Sequence, residues 1–272
     1  MDERTYPTVD GDVTYWVSHE AGPDAAWLVF LPGLTADHTL FEAQMTHFEG
    51  RANWLVWDAP AHGKSRPFAL TFTMDSFVDI LRGIFAAEGI KRPVLVGQSL
   101  GGYIAQVFVD RYPDELRGII TIDSSPLKRS YFTGWEIWLL RHTHTMYLSI
   151  PWSLLQKWGV SGTARTEAGR ANMLAMMQSY EKREYVDLAA HGYATLADAA
   201  AAARPYEITC PLLVLCGEHD EAASTRRYNR MWEKREGVNL VWVPDAGHNA
   251  NVDNPAFVNA QIEQFLDEIA AD

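Results

Sequence analysis

A chain of 272 residues with 47% hydrophobic content is long enough for one large α/β domain carrying an insertion, or for two small domains. Its formal net charge of −12 argues against a basic surface for nucleic acid or anionic membrane, and says little about a small neutral substrate. Met1-Asp2-Glu3-Arg4 does not begin a basic-then-apolar leader and no apolar run reaches about 18 residues, so the expectation is a soluble, cytoplasmic protein.

In chain order, Val13-Thr14-Tyr15-Trp16-Val17 reads as an additional, more exposed strand. It is followed by apolar runs at Trp27-Leu28-Val29-Phe30-Leu31, Trp54-Leu55-Val56-Trp57, Val94-Leu95-Val96, Gly118-Ile119-Ile120-Thr121-Ile122, Leu212-Leu213-Val214-Leu215 and Leu240-Val241-Trp242-Val243. Most of these lack a solvent face and fit a sheet covered on both sides. Between them, Met74, Phe77, Val78, Leu81, Ile84 and Phe85 recur at helical spacing. Phe257, Val258, Ile262, Phe265, Leu266 and Ile269 do so in a last helix that Asn254 and Pro255 would start. The predicted fold is α/β: a doubly wound, mostly parallel sheet of about eight strands with helices on both faces.

That rhythm breaks over residues 126–205, a stretch rich in aromatics and without a convincing strand. It reads as a helical insertion after the strand ending near Ile122, leaving residues 1–125 and 206–272 as the core. Trp135, Trp138, Leu139 and His142 share one helical face, as do Met173, Met176, Met177 and Tyr180. The run of alanines from Ala199 to Ala203 fits a helix end. Cys210 and Cys216 flank a strand whose rise separates them by roughly 20 Å, too far for a disulfide.

Gly97-Gln98-Ser99-Leu100-Gly101 lies directly behind the Val94-Leu95-Val96 strand and ahead of an apolar-faced helix. A serine at the tip of a sharp strand-to-helix turn, with glycines two residues either side, is the setting a nucleophile elbow needs. Downstream, Gly217-Glu218-His219-Asp220 ends a late strand and Asp245-Ala246-Gly247-His248-Asn249 follows the last one. With the turn Asp58-Ala59-Pro60-Ala61-His62-Gly63-Lys64-Ser65, these features resemble the α/β-hydrolase superfamily over essentially the whole chain. The order Ser, Asp, His is the order this fold uses.

The resemblance implies Ser99 as nucleophile, His248 as base and Asp220 as the acid that orients it. Asp123, which ends the strand before the insertion, is the rival acid. His62 fits a loop-ordering hydrogen bond better than chemistry, and His142 and His144 fit the surface or packing of the insertion. Backbone N–H groups of Leu100 and Leu34 would form the oxyanion hole, although Leu31-Pro32-Gly33-Leu34 stands where relatives often carry His-Gly. Ala61 likewise stands where the related turn often has glycine, with only a local backbone consequence expected. No spacing of His, Cys or acidic residues suggests a metal site, and no cofactor is expected. The insertion would act as a cap, with Trp135 and Trp138 as candidate walls of an apolar substrate pocket.

The expected activity is hydrolysis of a carboxylic ester with a hydrophobic acyl or aromatic group through an acyl-enzyme. Activity should fall below roughly pH 6–7 as His248 protonates. The alternatives are a carbon–carbon bond hydrolase acting on aromatic-degradation products and a non-catalytic binding protein of the same fold. A serine nucleophile sets the chain apart from haloalkane dehalogenases and epoxide hydrolases of this fold, which use aspartate. The partner in every case is a small molecule.

Overall fold

The computed structural model describes residues 1–271 and contains the predicted sheet, with eight strands. They are β1 (Asp2–Pro7), β2 (Asp12–Ser18), β3 (Trp27–Leu31), β4 (Asn53–Trp57), β5 (Val94–Gln98), β6 (Gly118–Ile122), β7 (Leu212–Gly217) and β8 (Asn239–Val243). Their spatial order is β1-β2-β4-β3-β5-β6-β7-β8. Every pair from β4 to β8 is parallel, while β1 and β2 form an antiparallel hairpin on one edge.

The helices between β3 and β6 are α1 (Glu42–Phe48), α2 (Met74–Glu88) and α3 (Leu100–Arg111). Five more, α4 (Gly134–Arg141), α5 (Thr143–Ser149), α6 (Trp152–Thr163), α7 (Glu167–Gln178) and α8 (Lys182–Ala201), stand between β6 and β7. The chain finishes with α9 (Thr225–Glu236), α10 (Ala250–Asp253) and α11 (Pro255–Ala271). Among the described residues no helix is long and apolar enough to cross a membrane. Cys210 and Cys216 are free thiols, the second fully buried.

The apolar spacing of α2 maps onto its buried face without remainder: Met74, Phe77, Val78, Leu81, Ile84 and Phe85 are the buried residues. Thr73 starts this helix with a capping box closed by Ser76. Pro255 opens α11, and Asn254 Oδ1 accepts from Phe257 N at 3.3 Å. Strands β4, β5 and β6 are buried at every position, as their lack of a polar face requires.

One edge differs from the sequence expectation. β2 is buried at all but its first residue, and the exposed strand is β1, which no apolar pattern marks. Its residues Asp2-Glu3-Arg4-Thr5-Tyr6-Pro7 form the outer rim, pairing from Asp2 with Val17 to Pro7 with Asp12. They shield β2 from solvent: Glu3 accepts from the Trp16 indole at 3.2 Å, and His38 stacks on the same ring at 3.6 Å.

Candidate active site

The end of β5 and the start of α3 are separated by one residue, Ser99, which sits at φ +47°, ψ −111°. A non-glycine residue in that region stores on the order of 1–3 kcal/mol and persists only where its surroundings enforce it. The enforcement is visible in the neighbouring glycines. A Cβ on Gly97 would lie 2.2 Å from the Gly101 carbonyl carbon, and one on Gly101 would lie 1.9 Å from the Leu31 carbonyl oxygen. Strand and helix therefore cross at backbone contact. Ser99 N donates to Ile122 O at 2.9 Å, tying the turn to β6.

The ends of β7 and β8 bring the two other groups to this serine. His248 Nε2 lies 3.0 Å from Ser99 Oγ, and His248 Nδ1 lies 3.0 Å from Asp220 Oδ2. A carboxylate only accepts, so in the neutral ring Nδ1 carries the hydrogen and Nε2 is left to accept from the serine hydroxyl. The other Asp220 oxygen accepts from Ala222 N at 2.8 Å, which fixes the carboxylate plane. Burial works to lower the imidazole pKa, but the charge and hydrogen bond of Asp220, with the charge of Asp123, outweigh it and raise it to about 9. That is above the range assumed from the sequence, because the unpatterned sequence does not show two carboxylates beside one ring.

Asp123 does not reach the imidazole. Its Oδ1 accepts from Gly217 N at 2.7 Å and its Oδ2 from Ala250 N at 2.9 Å, bracing the loops that carry Asp220 and His248. Burial first, and then the nearby Asp220 charge, push its carboxyl well above the usual range, against the pull of His248 and the two N–H donors. Donor atoms of Asp123, Cys216 and Asp220 lie within 4.8 Å of one another and all three residues are buried. The hydrogen bonds just described already occupy all four carboxylate oxygens of that group.

The loop after β3 closes the other side. A Cβ on Gly33 would meet Gln98 Oε1 at 2.2 Å and Ser99 Cβ at 3.2 Å, so Leu34 follows a backbone pressed against the serine. Leu100 is the first residue of α3, where a backbone N–H has no partner within the helix. Gln98, a residue not singled out from the sequence, donates from Nε2 to His248 O at 2.8 Å and so anchors the base loop to β5. A lone amide at the end of an apolar strand was its signal.

The Asp58 turn is held by buried Asp58, which accepts from His38 N at 2.7 Å and Lys64 N at 2.6 Å. Within it His62 is buried with Nδ1 2.9 Å from Pro60 O, and Ala61 adopts φ +67°, the conformation that favours glycine there.

Other candidates lie away from this cluster. Trp135 and Trp138 are 65% and 47% exposed and stack on each other at 4.7 Å, while the buried residue of α4 is Ile137. Their shared helical face is the solvent face, and α4 packs through the opposite side. His142 stacks on Trp138 at 4.3 Å, and His144 Nε2 lies 2.8 Å from Asp187. Met173, Met176 and Met177 on α7 are buried, as is Tyr180 just beyond its end.

A family model described as "Alpha/beta hydrolase family" matches residues 28–261. Among curated proteins, the chain is 23% identical over 257 residues to a 2-(acetamidomethylene)succinate hydrolase of Mesorhizobium japonicum, covering 88% of this chain and 87% of that protein. It is 26% identical over 255 residues to a 2-succinyl-6-hydroxy-2,4-cyclohexadiene-1-carboxylate synthase of an Enterobacter species, covering 90% and 93%. Among solved structures, a thermophilic esterase from Thermogutta terrifontis superposes with a TM-score of 0.74 at 21% identity, covering 99% of each chain.

Proposed function

The chain belongs to the alpha/beta hydrolase family, and from there we propose that it is a serine hydrolase acting on carboxylic esters of small molecules. The observation that carries this reading is the continuous relay Ser99 Oγ–His248–Asp220, with 3.0 Å at each junction. A serine hydroxyl is a weak nucleophile until a base takes its proton, and an imidazole is held in the needed tautomer only when its far nitrogen meets an acceptor. The esterase among the structural neighbours supports the ester class.

In this mechanism Ser99 Oγ attacks the ester carbonyl carbon as His248 Nε2 takes the hydroxyl proton. The carbonyl oxygen becomes an oxyanion facing the N–H groups of Leu100 and Leu34, each such donor contributing roughly 3–4 kcal/mol where one has been removed from a related hole. Collapse breaks the bond to the alcohol oxygen, which receives the proton from His248 and leaves. Water then gives a proton to His248 and its oxygen to the acyl carbon. The carboxylic acid departs as the proton returns to Ser99.

The helices α4 to α8 act in this reading as a cap over residues 126–205. Support comes from where they rest: Asn249 N donates to Thr163 O at 2.8 Å, and Gly192 lies against Leu34. The insertion thus touches the loops on both sides of Ser99.

A fluorophosphonate probe tests the proposal. It should label the wild type at Ser99 and leave Ser99→Ala unlabelled, with p-nitrophenyl ester turnover falling by about 10³-fold or more in the variant. Labelling that survives Ser99→Ala would overturn the assignment.

A further inference from the structure

The loop that carries His248 is held twice. Gln98 on β5 donates from Nε2 to His248 O at 2.8 Å. The second hold comes from Asp253, the last residue of α10, whose Oδ2 accepts from Gly247 N at 2.9 Å, one residue before the imidazole. The same carboxylate reaches into the helices between β6 and β7. Oδ2 also accepts from Arg165 N at 2.9 Å, while Oδ1 accepts from Thr166 N at 2.9 Å and from Thr166 Oγ1 at 2.7 Å. Thr166 starts α7, its hydroxyl oxygen accepting in turn from Gly169 N at 3.0 Å. An acid suits that place, because the first turn of a helix has backbone N–H groups to satisfy and the positive end of the dipole. Room is made by bare positions: a Cβ on Gly169 would lie 2.6 Å from Asp253 Oδ1, and one on Gly247 would lie 3.0 Å from Thr163 O. Farther along, α7 is fixed again. Asn172 Nδ2 donates to Thr39 Oγ1 at 3.1 Å, and Met176 Sδ accepts from Asp37 N at 3.4 Å, both on the chain shortly beyond Leu34.

Building on the serine-hydrolase reading, we propose that Asp253 is a positioning residue for the reaction. It fixes the base loop, and with it His248 Nε2, by tying Gly247 to the start of α7, so that the inserted helices help to place the base. Four hydrogens on two oxygens leave the carboxylate one orientation. A charged acceptor also makes each of these bonds stronger than a neutral one. The imidazole needs such restraint because it must stay within reach of both Ser99 Oγ and Asp220, and an error of about 1 Å can cost 10²-fold. In Asp253→Asn one oxygen becomes an NH₂ group that faces a donor, so the tie fails either at Gly247 or at α7.

The test is the hydrolysis of p-nitrophenyl acetate by Asp253→Asn, Thr166→Val, Thr166→Ser and the Asp253→Asn/Thr166→Val double variant, at a temperature where urea unfolding shows each to be folded. Asp253→Asn should lower kcat by about tenfold with KM within about twofold, and should slow fluorophosphonate labelling of Ser99 in step. Thr166→Val, which acts at the α7 end, should lower kcat by about threefold, and Thr166→Ser, which keeps the hydroxyl, should restore the wild-type value. The double variant should be no slower than Asp253→Asn alone, because one tie is broken only once. Variants that unfold at lower urea yet keep the wild-type kcat, or losses that multiply in the double variant, overturn the positioning role while the hydrolase stands. Should Asp253→Asn not fold, equal kcat in Thr166→Val and Thr166→Ser overturns it alone. A wild type that neither reacts with the fluorophosphonate nor hydrolyses the ester overturns both readings.

Discussion

The two halves of the site are built to different standards. Around Ser99 the backbone is packed to contact: glycine hydrogens face carbonyls at distances where no Cβ fits, and the carboxylate oxygens of Asp123 and Asp220 and the amide nitrogen of Gln98 are each held by named partners. Over the helices from Gly134 to Gln178 the surface is apolar by comparison. Seven large apolar side chains stand exposed there, Trp135, Trp138, Leu139, Met146, Leu148, Trp158 and Leu174, against Met1, Val9 and Leu70 elsewhere among the described residues. Rigid placement suits a reaction in which an error of about 1 Å can cost 10²-fold.

The sharpest way to break that contrast is to exchange the two buried acids. Asp220→Asn should lower kcat by about 10³–10⁴-fold, because the amide presents a hydrogen to Nδ1 and forces the wrong tautomer. Asp123→Asn should lose much less activity and instead destabilise the fold by about 1–3 kcal/mol, since one of its two backbone donors loses its acceptor. Steady-state kinetics beside urea unfolding separates the two; a near-normal Asp220→Asn enzyme would reverse the roles. Gly101→Ala probes the packing standard itself. Its Cβ would run into both the carbonyl and the Cβ of Leu31, and a loss of about 3 kcal/mol or more in unfolding free energy is expected.

The pH profile gives a finer reading. In the proposed mechanism the neutral form of His248 is the base, so activity is lost as pH falls through its pKa. With that pKa raised to about 9, the acid limb of kcat/KM should lie well above the ordinary histidine value of 6.5. Removing the Asp220 charge leaves burial less opposed and should move the limb of the residual activity to lower pH. A wild-type limb at or below pH 6.5 would show that the carboxylates do not act on the ring as described. The smallest effect belongs to the other region: Trp135→Ala and Trp138→Ala should change ester turnover by less than about twofold, and a large change would place that exposed stack in the substrate path.

The legible parts of the sequence were those where one physical demand dominates locally. The apolar run before Ser99 and the six buried residues of α2 declare their elements within a few positions, and the elbow glycines are dictated by contacts that tolerate nothing larger. β1 was invisible because an edge strand needs no apolar face. Trp135 and Trp138 attracted attention as large aromatics at helical spacing, but periodicity identifies a shared face without saying which way it turns.

The contact between Gly192 and Leu34 joins the inserted helix α8 to the loop after β3 that abuts Ser99. Because the two meet without room for a methyl group, the position of α8 and that of the segment proposed to carry one of the amide donors are set together. A foreign insertion grafted onto this sheet would need the same bare position at its point of rest to leave that loop where it is.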